Sequence, residues 1–438
     1  MRTLALLSPE ALVAIAALAC LLASRIPLLR AGWLPIAAAG AVALALGIEL
    51  TAGAQVTTLF HGGYSQDRFA LFAKAALLLA TFLVVLGADW LELSRSALGL
   101  TLLACTGGMV AASATDLVGV WAGLELAVLA SVGAAGLHDR LAGRRALLFG
   151  AALGALVAIG MAMLAATSGT FVLSAIRHSL TPPLSLPLAL AMLLVLGALL
   201  AQLAAAPSFG PLAVGATGIA LFKVAGAAAG LAPAWSVLIP AAAAAAMLVA
   251  AIGSVGGSRQ SGVAGWAGLL QLGWVIAGLA AGERLGITAS VFLFGAYLVA
   301  SAAAPVVLGN PLHGLSGLAH RSVGRALGYT ACLLSLACVP PLAGFLGAFA
   351  ISAVLVGSGL FWLVTVGFFA TAVVSFAVLR DLRLVYLAPS SEQVGKNPVK
   401  RVAAGAAVLT GLAMVGYAVL ANPISGLAAQ GASAVGLR

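Results

Sequence analysis

Residues 116–137 read DLVGVWAGLELAVLASVGAAGL, and after the leading Asp116 the one charged residue in this run is Glu125. A helix rises 1.5 Å per residue, so this run spans the roughly 30 Å hydrocarbon core of a bilayer. The segment therefore predicts a membrane-spanning helix with an acid near its centre. A charge at that depth costs roughly 2.5–3.5 kcal/mol, which marks Glu125 as a candidate functional residue.

The whole chain has the composition that this segment suggests. Of its 438 residues 63% are hydrophobic and 7% are charged, whereas a soluble domain has about 45–50% and about 25%. A soluble globular protein and a disordered chain are both excluded, because neither can hide so much apolar surface from water. Apolar runs of about 20 residues predict an all-α polytopic membrane protein. Its fourteen spans are expected at 9–24, 32–53, 69–93, 97–114, 116–137, 146–167, 186–206, 211–232, 234–255, 261–281, 286–308, 327–357, 360–379 and 402–421.

The connections between these spans are too short for an extramembrane domain, so 1–438 is expected to be a single integral membrane unit. The first apolar stretch begins with Pro9 and Glu10 and has no cleavable signal pattern, so we expect it to be retained. Fourteen of the 21 Lys and Arg residues lie in loops after odd-numbered spans, and three lie in loops after even-numbered spans. Because cytoplasmic loops carry the excess of positive charge, this bias predicts that both termini face outside. It also explains the net charge of +10 without nucleic acid.

The residue types that bind metals and nucleotides show no recognisable pattern. The cysteines lie in apolar segments without a CxxC pair, and the histidines lie in loops or at helix ends. Zinc and iron–sulfur sites, and a haem held between two helices, need other arrangements. No glycine-rich nucleotide loop has the strand–helix context that it requires.

Glu125 and Lys223 are the two ionisable residues that the sequence places near the centre of a span. Lys223 lies in the eighth predicted span, at 211–232. A desolvated lysine can release its proton whereas an arginine holds it, so a buried lysine and a buried carboxylate are the parts of a proton relay. The alternative is structural: the two residues pair with each other, or Glu125 is protonated and hydrogen-bonded.

Other polar residues of the spans have weaker functional signals. Glu49 is expected to cap a helix or extend to the outer surface, and Lys74 to reach outwards from the start of the third span. Gln271 in the tenth span is a candidate member of a water chain, with an interhelical hydrogen bond as the alternative. Pro340 and Pro341 remove two backbone donors inside an apolar run, which predicts that the twelfth span is kinked or broken.

Several segments resemble, in order, those of the antiporter-like subunits of respiratory complex I and of Mrp-type cation/proton antiporters. Residues 333–350, LLSLACVPPLAGFLGAFA, resemble the family's LSLAGIPPLAGFxGKF. Residues 116–130 resemble its fifth-helix segment with a central Glu, and FKVAGAAAG at 222–230 resembles its eighth-helix SKxGxYGLLR. Residues 266–281 resemble YSSIAHLGYLLVALAA, and residues 379–387 resemble YLRVIRLMYF. The segments at 8–22 and 69–92 are most similar to subunit N of this family.

The resemblance implies a fold of fourteen helices with two inverted five-helix repeats, at 97–232 and 234–379. It implies that Glu125 and Lys223 are the family's fifth-helix Glu and eighth-helix Lys and act in a proton relay. The chain would then be a proton-translocating subunit of a complex I-type membrane arm in the inner, cytoplasmic membrane, coupled to quinone reduction elsewhere. It would bind no cofactor itself, and the quinone, FMN and iron–sulfur clusters would belong to partner subunits.

The sequence also departs from the family pattern. The seventh-helix Lys has no ionisable counterpart, the twelfth-helix Lys is Ala348, and the usual tenth-helix His is Gln271. Glu125 therefore lacks the partner that the resemblance implies. A water chain with Gln271 could replace the missing groups. The alternatives are a structural subunit that no longer pumps and a cation/proton antiporter subunit of the Mrp or membrane-hydrogenase type.

Overall fold

A computed structural model describes residues 7–25, 33–52, 57–88, 91–180, 185–228, 232–256, 262–308, 315–389, 409, 411–413 and 415–434. The described chain is almost entirely helical and has one small hairpin of strands β1 (Thr57–Leu59) and β2 (Tyr64–Gln66). Its helices are α1 (Ser8–Arg25), α2 (Leu34–Ala52), α3 (Arg68–Leu86), α4 (Arg95–Ser113), α5 (Leu117–Gly136), α6 (Arg140–Ser168), α7 (Leu173–Ser179), α8 (Leu186–Ala204), α9 (Pro211–Ala227), α10 (Ala232–Val255), α11 (Gly262–Ala280), α12 (Arg284–Leu308), α13 (Leu318–Arg321), α14 (Val323–Leu336), α15 (Ala343–Gly357), α16 (Phe361–Leu387) and α17 (Ala421–Ala434).

The helices confirm the predicted all-α, multi-pass membrane fold. Among the described residues, 11 helices are long and apolar enough to cross a membrane, and α9, α14 and α15 are shorter apolar helices. Together these helices match the first thirteen predicted spans. The fourteenth, at 402–421, is described only at 409, 411–413 and 415–421, and its helical part, Gly411–Val419, is bent by 75° against α17. Helix α17 follows it and packs against α3 and α12. The division into two repeats, 97–232 and 234–379, stays a prediction.

The twelfth predicted span, 327–357, consists of two helices. Helix α14 ends at Leu336 and α15 begins at Ala343. The connection between them contains Pro340 and Pro341, which supply no backbone N–H group to continue a helix. Because each proline lacks an N–H group, the backbone carbonyl group one turn before it receives no hydrogen bond within a helix. The broken span packs against α12, the most extensively buried of the long helices.

Side chains and glycines fix where the helices around the site begin and how closely they approach. Asp67 and Asp116 precede α3 and α5, and their carboxylates accept from the amides of Ala70 at 2.8 Å and Gly119 at 2.7 Å. These caps satisfy donors that the first turn of a helix leaves unpaired. Helix α5 lies so close to α4 that a Cβ at Gly123 would come within 2.5 Å of a backbone nitrogen. This contact holds α5 in one rotation about its own axis.

The connection between the second and third predicted spans contains the β1–β2 hairpin, and its second strand is buried. All three residues of β2 are buried, and the hairpin turn is tied to the connection between α4 and α5. Thr115 donates its amide to the carbonyl of Gly63 at 3.2 Å and its hydroxyl to the carbonyl of Gly62 at 2.5 Å. Tyr64 also forms an antiparallel bridge with Ala114. The hairpin therefore brings polar side chains against the ends of the helix bundle.

Candidate functional site

Glu125 lies on α5 and faces a notch on the neighbouring helix α6. Its Oε1 atom is buried and has no hydrogen-bond partner among the described residues. The notch is formed by Gly154, where an added Cβ would lie 2.0 Å from that same oxygen. Trp121, one turn earlier on α5, donates its indole N–H to the carbonyl of Gly154 at 3.2 Å. The carboxyl group therefore occupies space that exists because residue 154 has no side chain.

Lys223 is buried, with 7% of its surface exposed, and it lies near the C-terminal end of α9. Its ammonium group donates to the carbonyl of Ala114 at 2.5 Å, just past the end of α4. It also lines a cavity of about 250 Å³ together with Asp67, Thr115 and Arg177. The expectation that Lys223 sits at mid-span is therefore wrong. Helix α9 ends at Ala227, earlier than predicted, so the ammonium lies at the level of the helix ends.

Glu125 and Lys223 are not brought together. The structure records no hydrogen bond or ion pair between them within the described part of the chain. The structural alternative in which these two residues pair with each other is therefore excluded by the geometry. Proton transfer between them would require intervening groups or water.

Two buried glutamines have side-chain amides without a hydrogen-bond partner among the described residues. Gln271 on α11 has no exposed surface, and neither of its amide atoms has a partner among the described residues. Gln202 on α8 is in the same situation. Buried polar groups are almost always hydrogen-bonded to protein or to ordered water. Sequence analysis identified Gln271 and missed Gln202, whose signal is a single amide in the apolar run LLAQLA.

A second cavity, of about 310 Å³, lies at the other end of α9. Pro211, the first residue of that helix, lines it, whereas Lys223 lines the first cavity. Gly268 also lines this second cavity, and it lies one turn before Gln271 on α11. Its polar lining was not predicted from the sequence and consists of Tyr297, Ser301, Tyr329 and Asp381.

Within the described residues, a cluster of polar side chains surrounds Lys74 on α3, which has no exposed surface. Its ammonium group lies 2.5 Å from Oε1 of Glu10 and donates to the hydroxyl of Tyr64 at 2.8 Å and to Oε1 of Gln66 at 2.6 Å. Tyr64 donates to Glu10 at 2.8 Å, and Gln66 donates to the carboxylate of Glu49. The expectations that Lys74 and Glu49 extend towards the surface are therefore wrong.

The hairpin explains why this cluster is buried. Tyr64 and Gln66 lie on β2 and cover the ends of α1, α2 and α3, so that the lysine finds its partners inside the protein. Burial raises the pKa of Tyr64, which keeps the phenol protonated and able to donate to Glu10. We name these five residues, Glu10, Glu49, Tyr64, Gln66 and Lys74, the Lys74 cluster.

Ala348, which the resemblance aligns with a lysine of the family's twelfth helix, lies buried on α15. Within the described residues no group of three or more His, Cys, Asp or Glu side chains could hold a metal ion. The four cysteines are buried free thiols. The carboxyl, amino and hydroxyl groups of the site can bind protons and transfer them through water.

Comparison with solved structures shows which fold the chain shares with known proteins. The fold is that of antiporter-like membrane subunits. It superimposes on a chain of respiratory complex I from Thermus thermophilus with a TM-score of 0.76 and 21% identity, covering 96% of this chain and 99% of that one. It superimposes on a chain of the Mrp complex from Dietzia sp. DQ12-45-1b with a TM-score of 0.80 and 17% identity, covering 98% and 97%. No protein-family profile matches the chain.

The sequence similarity is more specific. The chain is 27% identical over 425 residues to NADH-quinone oxidoreductase subunit N 1 of Acidiphilium cryptum, and the match covers 86% of each protein. The resemblance to the antiporter-like subunits, and to subunit N in particular, is thereby confirmed.

Proposed function

We propose that this chain is an antiporter-like subunit in the membrane arm of a complex I-type NADH:quinone oxidoreductase and that it translocates protons. The observation that carries the proposal is the match to a protein named subunit N over 86% of both chains. Quinone reduction, FMN and the iron–sulfur clusters belong to partner subunits in this proposal. The positive-charge bias of the odd loops supports an orientation in the inner membrane with both termini outside.

The polar interior supports a path with three parts. Glu125 has a carboxyl oxygen that is buried without a partner, and the cavities lie at opposite ends of α9. We propose that protons enter at the cavity lined by Asp381 and cross the middle of the bundle along water held by Gln202 and Gln271. They leave through the cavity that Lys223 lines.

The two named residues have different tasks on this path. Lys223 is held by one carbonyl group beside a cavity, so its amino group can give up a proton and regain one without breaking an ion pair. Glu125 lies in the Gly154 notch, where its carboxyl group can bind a proton carried by water. Because the two groups are not in contact, a conformational change or a water chain must connect them.

The proposal is tested by measuring proton pumping in the complex that co-purifies with this chain in mild detergent. We expect Glu125→Gln and Lys223→Met each to lower the ratio of protons moved to NADH oxidised, while the complex still assembles. Glu283→Gln, an exposed glutamate between α11 and α12, is the matched control and is expected to leave the ratio unchanged. Unchanged pumping in both site variants would overturn the proposal.

A second candidate function is a structural subunit that fills the membrane arm without conducting protons. It is favoured by the finding that Glu125 meets no cationic group among the described residues and that Ala348 replaces a lysine. In that case deletion of the chain blocks assembly while the two site variants pump normally. A chain that purifies alone and exchanges Na⁺ for H⁺ would instead be an independent antiporter.

A further inference from the structure

We propose that the Lys74 cluster is a second proton-holding site, on the same side of the molecule as Lys223 and in series with it. The inference rests on the proposed function, because it assumes that protons pass Lys223. It gives a role in proton binding to a group of residues for which the family resemblance implies none. The ligand is a proton exchanged with water or with the cavity beside Lys223.

The charges of the cluster do not balance when every group has its ordinary form. One ammonium group faces two carboxyl groups, and all three residues are buried, with Glu10 on α1, Glu49 on α2 and Lys74 on α3. Two ionised carboxylates and one ammonium would leave a net negative charge in an interior that cannot solvate it. The cluster becomes neutral when the two carboxyl groups share one additional proton.

The hydrogen bonds indicate which atoms exchange this proton. The ammonium group of Lys74 uses its three donors on Glu10, Tyr64 and Gln66, which holds it in the charged form. By contrast, Oε2 of Glu10 is buried and has no hydrogen-bond partner among the described residues. A structural ion pair requires one carboxylate. This cluster adds a second carboxyl group, that of Glu49, and an open oxygen on Glu10, and these are the features that a proton-holding site needs.

The cluster is linked to Lys223 through the hairpin. Tyr64 contacts Lys74 and Glu10 with its hydroxyl group, and its backbone pairs with Ala114. The carbonyl of that same Ala114 accepts the hydrogen bond from Lys223. A change of charge in the cluster can therefore shift Tyr64, and through its pairing with Ala114 it can alter the hydrogen bond of Lys223.

Other groups of the surroundings complete the connection. Asp67 caps the helix that carries Lys74 and lines the cavity beside Lys223. Helix α4, which packs on α3 and against β2, contributes Ser113, whose buried hydroxyl lies beside Tyr64. A neighbouring hydroxyl, an open carboxyl oxygen and a cavity are positions at which water could carry the proton to and from the site.

Infrared spectroscopy of the whole assembled complex tests this inference directly. A protonated carboxyl group has its own carbonyl stretching band, which moves in deuterated water. We expect Glu10→Gln or Glu49→Gln to remove such a band, because the amide preserves the hydrogen bonds and removes the group that binds the proton. Glu283→Gln is the exposed control, and Glu125→Gln identifies the separate band of that residue.

Proton pumping is then measured on the same preparations. We expect Glu49→Gln to slow pumping by about ten-fold or more, since positioned proton-transfer groups contribute at least that much, while assembly and the NADH oxidation of uncoupled complex are kept. Spectra of the Glu10 and Glu49 variants that equal wild type, or pumping that is unaffected by both, would overturn the inference.

The two proposals fail in different ways. If Glu125→Gln abolishes pumping while the Glu10 and Glu49 variants change neither spectrum nor rate, the proposed function stands and the second site does not exist. If Glu125→Gln and Lys223→Met pump normally although the Glu49 band is present, the cluster binds a proton that is not on a pumping path, and both proposals are wrong.

Discussion

Lys74 and Lys223 are two buried lysines on neighbouring helices, and their ammonium groups differ in the number of fixed hydrogen-bond partners. Lys74 is surrounded by side chains that fill all three of its donor positions and include a carboxylate at 2.5 Å. Lys223 is held by one backbone carbonyl, and it faces a cavity of about 250 Å³. The comparison teaches that burial alone does not separate a structural cation from one that can exchange its proton. The number of fixed partners does.

The same distinction applies to the carboxyl groups. Glu49 accepts from Gln66, and Oε1 of Glu10 from Tyr64, whereas Oε1 of Glu125 faces the bare backbone of Gly154. Loss of a group with fixed partners is therefore expected to lower stability in addition to any effect on transport, whereas loss of Glu125 or Lys223 is expected to change transport with little loss of stability. Each substitution below tests one side of this division, beginning with the largest expected effect.

Replacement of Lys74 should give the largest loss of stability. In Lys74→Met the side chain has a similar length, but two carboxyl groups lose their cation, and breaking a buried pair costs about 3–5 kcal/mol. Thermal unfolding of the purified protein in detergent measures this loss. The double variant Lys74→Met with Glu10→Gln should recover part of it, because one of the stranded acids is then neutral. A single variant as stable as wild type would contradict the assignment of Lys74 as a fixed cation.

Gly154→Ala should affect both stability and transport. The new methyl group would meet Oε1 of Glu125 at 2.0 Å, so the carboxyl group must leave its notch. Overpacking of this kind costs about 1–3 kcal/mol. Gly197→Ala on α8 is the matched control, because a Cβ there meets nothing within 4 Å. That control should gain about 0.5–1 kcal/mol in an interior helical position.

Pumping by Gly154→Ala should fall together with that of Glu125→Gln. Normal pumping by Gly154→Ala, in spite of a lowered unfolding temperature, would show that the position of the Glu125 carboxyl group is not important for transport. Reduced pumping by Gly197→Ala would show that the assay responds to any change in a helix.

Tyr64→Phe should have a smaller effect on stability than Lys74→Met. It removes the hydroxyl group between Lys74 and Glu10 but leaves their 2.5 Å contact in place. Hydrogen bonds to charged groups contribute about 1.5–3 kcal/mol, and part of this is kept by the remaining contact. Chemical denaturation at neutral pH measures the difference. A loss equal to that of Lys74→Met would mean that the tyrosine, rather than the ion pair, holds the cluster together.

The sequence was sufficient to predict the helices, because length and hydropathy largely determine what can cross a bilayer. It also identified Glu125, a single acid in a long apolar run. The Lys74 cluster could not be predicted, because its parts come from three helices and from a strand that hydropathy presents as a loop. The position of Lys223 within its helix was not predicted correctly, because hydropathy does not show where α9 ends. The apolar run continues to 232, whereas the helix ends at Ala227.

Lys223→Met should give the smallest change in stability and a large change in transport. It loses one hydrogen bond to a carbonyl, but it also removes a buried charge that has no ion-pair partner among the described residues. These effects oppose each other, so we expect the free energy of unfolding to change by less than about 1 kcal/mol. Pumping should nevertheless be lost, since methionine cannot carry a proton. Lys223→Arg is the informative control, because arginine keeps the charge and the hydrogen bond but does not release its proton.

Equal transport defects in the Met and Arg variants, with near-normal unfolding temperatures, would establish that Lys223 acts by exchanging its proton. Transport that is preserved by arginine would mean that its charge is sufficient, and Lys223 would then act by positioning water in the cavity. A loss of stability in Lys223→Met as large as that of Lys74→Met would remove the contrast between the two lysines. Lys223 would then be a second structural cation, and the proton path would have to leave the bundle elsewhere.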